Sequence, residues 1–351
     1  MAYSSIVKPG DYFEATTYTG GATDVSSLSF QPDFVWAKKR SGSENHGLFD
    51  AVRGATKTLS SNDTAAESTR GGSLTSFDSD GWSMGGSDGI ISASGSTYVG
   101  WAWKAGGGQG SSNTDGSVNT TYTSVNTTAG FSISTVSKPN TNVATIGHGL
   151  GATPKFIIGK DLDTADNFTC YHESLGNGKG IYLNSTNGET TASSFWNSTS
   201  PTNSVFTLGS DNTWNSPSIL FYCFAEKAGF SKFGSYVGNN NANGPFIYTG
   251  FKPAWVMVKN SSSSGFSWEI FDNKRNATDG VANVIEKRLF PDSNAAEGSN
   301  SDGYLDFVSN GFKIRKTGDS NAGNETYIYV AFAEEPLVAN SGASGVPATA
   351  R

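Results

Sequence analysis

Pro32-Asp33-Phe34-Val35-Trp36-Ala37-Lys38 sets the frame of this chain, because it occurs three times. Pro154-Lys155-Phe156-Ile157-Ile158-Gly159-Lys160 and Pro253-Ala254-Trp255-Val256-Met257-Val258-Lys259 repeat it: a proline, a spacer, an aromatic, a β-branched residue and a closing lysine. Proline lacks an N–H and so belongs at the start of a strand or on an edge. Aromatic and β-branched residues suit a pleated, half-buried surface. Three copies, each followed by matching pieces in one order, mark an internal repeat.

Tyr12 to Gly20 reads as an aromatic strand closed by a glycine turn. Phe230 to Gly238 matches its spacing, and Phe131 to Val136 is a weaker middle counterpart. After each proline-led strand come Leu48 to Arg53, Cys170 to Leu175, and Ile270 to Arg275. Leu59 and Glu67 then answer Leu289 and Glu297. Asp80-Gly81-Trp82 answers Asn310-Gly311-Phe312 with tight-turn signals, and Val205 to Leu208 holds that place in the middle copy. Each copy closes on a run apolar on both faces: Tyr98 to Trp103, Ile219 to Phe224, and Tyr327 to Phe332. Such a run belongs in the middle of a covered sheet.

The chain therefore divides into an arm (1–10), a first repeat (11–104), a Gly/Ser/Thr linker (105–129), a second repeat (130–227), a third (229–336) and a small-residue tail (337–351). Short strands with turn signals every 8–12 residues or so give the sandwich pattern. The expected fold is all-β: three tandem antiparallel β-sandwich repeats of jelly-roll or lectin-like type. The alternative is one continuous β structure in which neighbouring repeats exchange strands.

Composition agrees. Gly reaches 43, and hydrophobic residues are 36% and charged residues 16% of the 351, which suits strands and turns more than helices. Aromatics at 12% need a core or a contact surface and argue against disorder. The net charge of −7, without a basic run, argues against nucleic acid as a partner. No apolar stretch approaches the ~20 residues of a membrane-spanning helix, and Met1 to Val7 lacks the pattern of a secretory signal. Synthesis in a cytoplasm is expected, with no membrane insertion. Cys170 and Cys223 could be bridged, but read more simply as small buried hydrophobes.

No motif marks a reaction centre, so no enzyme, cofactor or metal is expected. His46, His148 and His172 lack nucleophile or metal-ligand spacing, and His172 stands where the other copies carry Asp50 and Asp272. Asp50 with Arg53, and Asp272 with Arg275, read as local bridges at a strand end. Lys38, Lys160 and Lys259 read as stems laid on the sheet with the ammonium in water. The acidic run Asp161 to Asp166 reads as a solvated loop that could hold calcium. Ala105 to Gly110 lacks the ending of a phosphate-binding loop and reads as linker.

The repeated phrases resemble a family of virion proteins from tailed bacteriophages, especially marine and cyanobacterial ones. The resemblance rests on Asp11 to Gly20, Gln31 to Trp36, Phe49 to Lys57, Ser76 to Trp82, His148 to Lys155, Phe230 to Tyr236 and Val346 to Arg351. It implies a tail-fibre-like or other exterior virion component built of concanavalin-like lectin sandwiches, with no catalytic residues. On that basis the expected role is a receptor-binding adhesin for host surface glycan. Trp196, Trp214 and Trp268 would then be the rings that stack on sugar. The alternative is a capsid-decoration or other structural protein that binds virion partners, with the arm at Met1 to Gly10 free to dock. A polysaccharide depolymerase is a third reading. A homo-oligomer is expected, with a trimer the form phage fibres often take, although no heptad enforces one.

Overall fold

The computed structural model describes residues 4–21, 24–275, 283–341 and 344–347. The chain is all-β, and three of its sheets, one in each unit, share one strand order. In the first unit the order is Phe13–Thr19, Thr97–Trp103, Phe34–Lys39, Gly47–Asp50, every pair antiparallel. The second sheet contains Phe131–Lys138, Ser216–Ala225, Pro154–Asp161 and Thr169–His172 in the same sequence. In the third it is Ser231–Val237, Thr326–Pro336, Phe251–Asn260, Glu269–Asp272. The closing run is thus a central strand each time, as its two apolar faces require. Pro253 falls at a register shift inside its strand, where no ladder N–H is needed.

Each sheet buries both faces. A smaller sheet covers the outer one. Gly81–Met84 and its neighbours do so in the first unit, Ala144–Gly147 with Val205–Leu208 in the second, and Phe246–Tyr248 with Gly311–Ile314 and Leu305–Val308 in the third. The inner faces meet one another. Phe34 stacks on Tyr222 at 4.3 Å and Phe13 on Phe332 at 5.2 Å. Trp103 meets Trp255 edge-on at 5.7 Å, and Phe224 meets Phe332 at 5.7 Å. A void of about 10 Å³ at the centre is lined by Trp103, Phe224 and Phe332, one ring from each closing strand. The expected string of self-contained sandwiches is therefore corrected. Three sheets share one inner core, and among the described residues no strand is exchanged between them.

The seams repeat as well. The backbone N–H of Glu67 donates to Leu162 O (3.0 Å), that of Glu189 to Ser261 O (2.8 Å), and that of Glu297 to Arg40 O (3.1 Å). Arg40, Leu162 and Ser261 each stand two residues after the lysine of the repeated phrase. First binds second, second binds third and third binds first, so the ring closes within one chain.

Three boundaries also change. Within 105–129, Thr120–Asn126 is a strand paired with Phe131–Lys138, which makes it part of the second sheet. The glycine run is not slack either. The N–H groups of Ala105, Gly107 and Gly108 donate to the buried Asp33 carboxylate at 2.7, 3.1 and 2.7 Å. Gly107 and Gly108 take positive φ to do so. In the arm, Ile6 is buried and Ser5 N donates to Ala228 O at 3.1 Å, so this stretch docks on the third unit of its own chain. In the tail, Val338–Ser341 pairs with Ser344–Pro347.

Candidate contact surface

The three tryptophans expected to face sugar do not reach solvent. Trp196 is 2% exposed and Trp214 and Trp268 are 0% exposed. Trp196 packs on Trp214 at 5.3 Å, and the Trp214 indole N–H donates to Phe195 O at 2.7 Å. The Trp268 indole donates to Tyr182 O at 2.9 Å, which ties the third unit to the second. A ring of this size gains more from burial than its polar sequence neighbours suggest; Trp214 and Trp268 also satisfy their N–H groups, whereas that of Trp196 has no partner among the described residues.

The position shared by Asp50, His172 and Asp272 is a clasp. Tyr222 Oη donates to Asp50 Oδ2 at 2.7 Å, His172 Nε2 meets Tyr329 O at 3.1 Å, and Trp101 Nε1 donates to Asp272 Oδ2 at 3.0 Å. Each contact reaches the closing strand of the next unit around the ring. The local bridges form too, Arg53 Nε to Asp50 and Arg275 Nε to Asp272, both at 2.5 Å and almost fully buried. Acid and imidazole substitute for each other here because the job is to accept or donate one hydrogen bond across a seam.

All three histidines are buried and neutral. Trp36 Nε1 donates to His46 Nδ1, Leu150 N to His148 Nδ1, and Ser174 N to His172 Nδ1. Each Nε2 then faces a carbonyl, namely Phe290 O, Thr202 O and Tyr329 O. Burial pushes His148 and His172 down to about 4 and His46 well below its usual value. The unfolded chain takes up these protons near pH 6.5, where the folded chain does not. The histidines' contribution should therefore be constant above about pH 6.5, and stability should fall as pH drops from there toward about 4. Urea midpoints measured across that window check the sign. His172→Gln, which can still accept and donate, should flatten part of the slope.

The repeated lysines correct another expectation. Lys38, Lys160 and Lys259 are buried, and each Nζ caps a carbonyl: Lys39 O at 2.8 Å, Asp161 O at 2.6 Å, and Phe266 O. Burial pushes Lys38 and Lys259 down to about 8. In the acidic run, the Asp161 carboxylate is taken up by the N–H of Asp163, the Thr164 hydroxyl and the Ser216 hydroxyl. Among the described residues no three His, Cys, Asp or Glu side chains converge to hold a metal. Cys170 and Cys223 are free thiols, buried in different clusters, and burial pushes both upward.

Among the described residues the rings that face solvent most are Phe246 (49% exposed) and Tyr248 (58%), with Tyr122 (37%) a third, alone on Thr120–Asn126 of the second unit. Phe246 and Tyr248 alternate with buried Ile247 on Phe246–Tyr248, the edge strand of the third unit's outer sheet, so both point the same way. Across the ladder, Phe246 faces Lys313 and Tyr248 faces Gly311. Beside Tyr248 lies a hollow of about 250 Å³ with Glu226, Ser231, Lys232, Thr249 and Gly250 in its wall. Lys232 and Glu226 pair there at 2.7 Å. Register places Val25 and Ile146 at the position of Ile247. The outward neighbours there are Asp24 and Ser26 in the first unit and Thr145 and Gly147 in the second. In the second unit the chain itself also covers this edge, with Val118 N donating to Thr145 O at 3.2 Å. The third unit departs from its sisters by placing two rings on this edge strand. The sequence signal was large apolar residues at three consecutive strand positions, outside the repeated phrases.

The chain belongs to the DUF7483 family, described as a domain of unknown function, whose pattern matches residues 8–336. No curated protein and no solved structure matches it.

Proposed function

We propose that this DUF7483 chain is an exterior protein of a tailed-bacteriophage virion, and that it acts as a tail-fibre or receptor-binding adhesin for host surface glycan. The observation that carries the reading is the Phe246/Tyr248 pair. Two solvent-facing rings share one face of an edge strand, Tyr248 borders a hollow with hydroxyl, carboxylate and ammonium groups, and the sister units carry polar or small residues at both ring positions. Rings give a sugar an apolar face to stack on, and the flanking groups bond its hydroxyls. Many weak contacts of this kind gain strength when a particle displays many copies. The resemblance of the repeated phrases to those of phage virion proteins supports the setting. A trimer built on the seams described above is unnecessary, because one chain already fills them, so self-association would use another face.

Decoration of the virion is the second reading. It is favoured by the Phe246–Tyr248 strand lying at the edge of its sheet, since an edge strand can pair with a partner strand.

The test is binding of purified protein to a glycan array and to host cells, with the double change Phe246→Asp, Tyr248→Ser, which copies the first unit. Binding should fall about tenfold per ring, while the melting temperature stays put. A blank array together with no cell binding removes the adhesin reading. Unchanged binding by the double variant moves the contact away from these rings.

A further inference from the structure

The third unit holds a second departure from the repeat. A cavity of about 250 Å³ is lined by Phe266, Ser267, Glu269, Arg288, Phe290 and Asp319. Glu269 is only 3% exposed. Its Oε1 pairs with Arg288 Nη1, while its Oε2 lies against the Ser320 hydroxyl in a poorly aligned contact, and neither of those two atoms reaches solvent. Arg288 Nη1 also binds Asp319 Oδ2 at 2.7 Å, while its Nε–H goes unused. The guanidinium is held between Phe290 (4.8 Å) and Tyr304 (4.6 Å). Asp319 pairs with Lys316 as well, at 2.7 Å, and takes a left-handed backbone with φ 36°. A buried carboxylate with a poorly bonded oxygen, beside an idle guanidinium N–H, is unfavourable for folding alone.

The sister units show that the fold does not need this arrangement. Leu48 bridges Leu59 as Ile270 bridges Leu289, so Gly47 and Thr58 occupy the positions of Glu269 and Arg288. Tyr18 donates to Ile91 O as Tyr236 donates to Ser320 O, which sets Ile90 in the place of Asp319. A Cβ on Gly47 would lie 2.5 Å from Ile90 Cγ2, so the isoleucine fills that space. The second unit has Thr169 where the third has Glu269. The first unit thus fills with hydrocarbon the space that the third keeps open and charged.

We propose that this cavity binds a single neutral sugar ring, the terminal or branch residue of a glycan. The Arg288 guanidinium and the Asp319 carboxylate reach the cavity, with side chains 18% and 44% exposed, and neighbouring hydroxyls on a pyranose can accept from one and donate to the other, while Glu269 holds the guanidinium from behind. The carboxylates of Glu269 and Asp319 are matched by Arg288 and Lys316, so the cavity favours an uncharged ligand. Phe266 and Phe290 offer the C–H face of a ring its apolar contact. The volume lies below the ~300–1,000 Å³ of sites for larger ligands, which fits one ring rather than a chain. The inference rests on the adhesin reading only for where such a sugar comes from.

The experiment is saturation-transfer NMR of the intact chain with the methyl glycosides of glucose, galactose, mannose and N-acetylglucosamine, followed by titration. At least one should bind. The triple change Glu269→Gly, Arg288→Thr, Asp319→Ile, which copies the first unit, should weaken that binding more than tenfold with an unchanged or raised melting temperature. Glu269→Gln keeps the shape of the site should the triple variant misfold, and should weaken binding about tenfold. Silence toward all four glycosides overturns the proposal. So does binding that survives Glu269→Gln or the triple change; if that binding falls with Phe246→Asp, Tyr248→Ser instead, the cavity is excluded and the adhesin reading stands.

Discussion

Asp272→Ala should destabilise the protein by about 3–5 kcal/mol, the range for removing one partner of a buried ion pair. Asp272 and Arg275 are both 0% exposed at their side chains. Oδ1 accepts the backbone N–H of Lys274 and of Arg275, each at 3.0 Å. Oδ2 accepts Arg275 Nε and, from the first unit, the Trp101 indole. Truncation strips all four bonds. It leaves a guanidinium inside the protein with Glu297 (3.3 Å) as its remaining counter-charge among the described residues, and an indole N–H without its acceptor. Loss of the charge is one part, and loss of the seam is the other. Asp11→Ala is the control. Its pair with Lys8 is 41% and 69% exposed, and its removal should change stability by less than about 0.5 kcal/mol. Urea denaturation of both variants settles the comparison. A loss below about 1 kcal/mol for Asp272→Ala would mean that the clasp is not holding the seam.

The fold is legible in the sequence where a residue's neighbours along the chain decide its fate. The proline-led phrase, the glycine turns and the doubly apolar closing runs are local patterns, and the strands and turns they announce are present. It is hidden where the deciding partner lies far away. Trp103, Phe224 and Phe332 alternate with outward residues as in any sandwich, and alternation shows that a face is covered, not what covers it. The same gap misplaced Trp268, whose partner Tyr182 is 86 residues away, and the glycine run, whose partner Asp33 precedes it by more than 70. The lysines were read as surface stems because nothing local shows a carbonyl waiting inside.

The contact residues were hidden for another reason. Phe246 and Tyr248 stand out only against Asp24 and Ser26, and Glu269, Arg288 and Asp319 only against Gly47, Thr58 and Ile90. Those correspondences need register across strands too short to align by eye. Once it is known, the three copies serve as internal controls for one another. Two are close to what the fold requires, and the third carries additions that folding does not explain.

The shared inner core is what makes one rigid support out of three repeats, and Trp103 is one of the rings that touch all three units. It lies within 4.9 Å of Phe13 and 5.1 Å of Phe34 in its own unit, 6.4 Å of Phe224 in the second, and 5.7 and 5.6 Å of Trp255 and Phe332 in the third. It is 2% exposed, and its indole nitrogen has no partner, so truncation removes packing and no hydrogen bond. Trp103→Ala should destabilise the chain by about 3–5 kcal/mol through lost burial and the cavity left behind. The decisive measurement is native-state hydrogen exchange on this variant, read at Thr97–Trp103, Ser216–Ala225 and Thr326–Pro336. A shared core predicts that protection falls by a similar amount in all three strands. Protection lost in Thr97–Trp103 alone, with the other two strands as in the wild type, would contradict it.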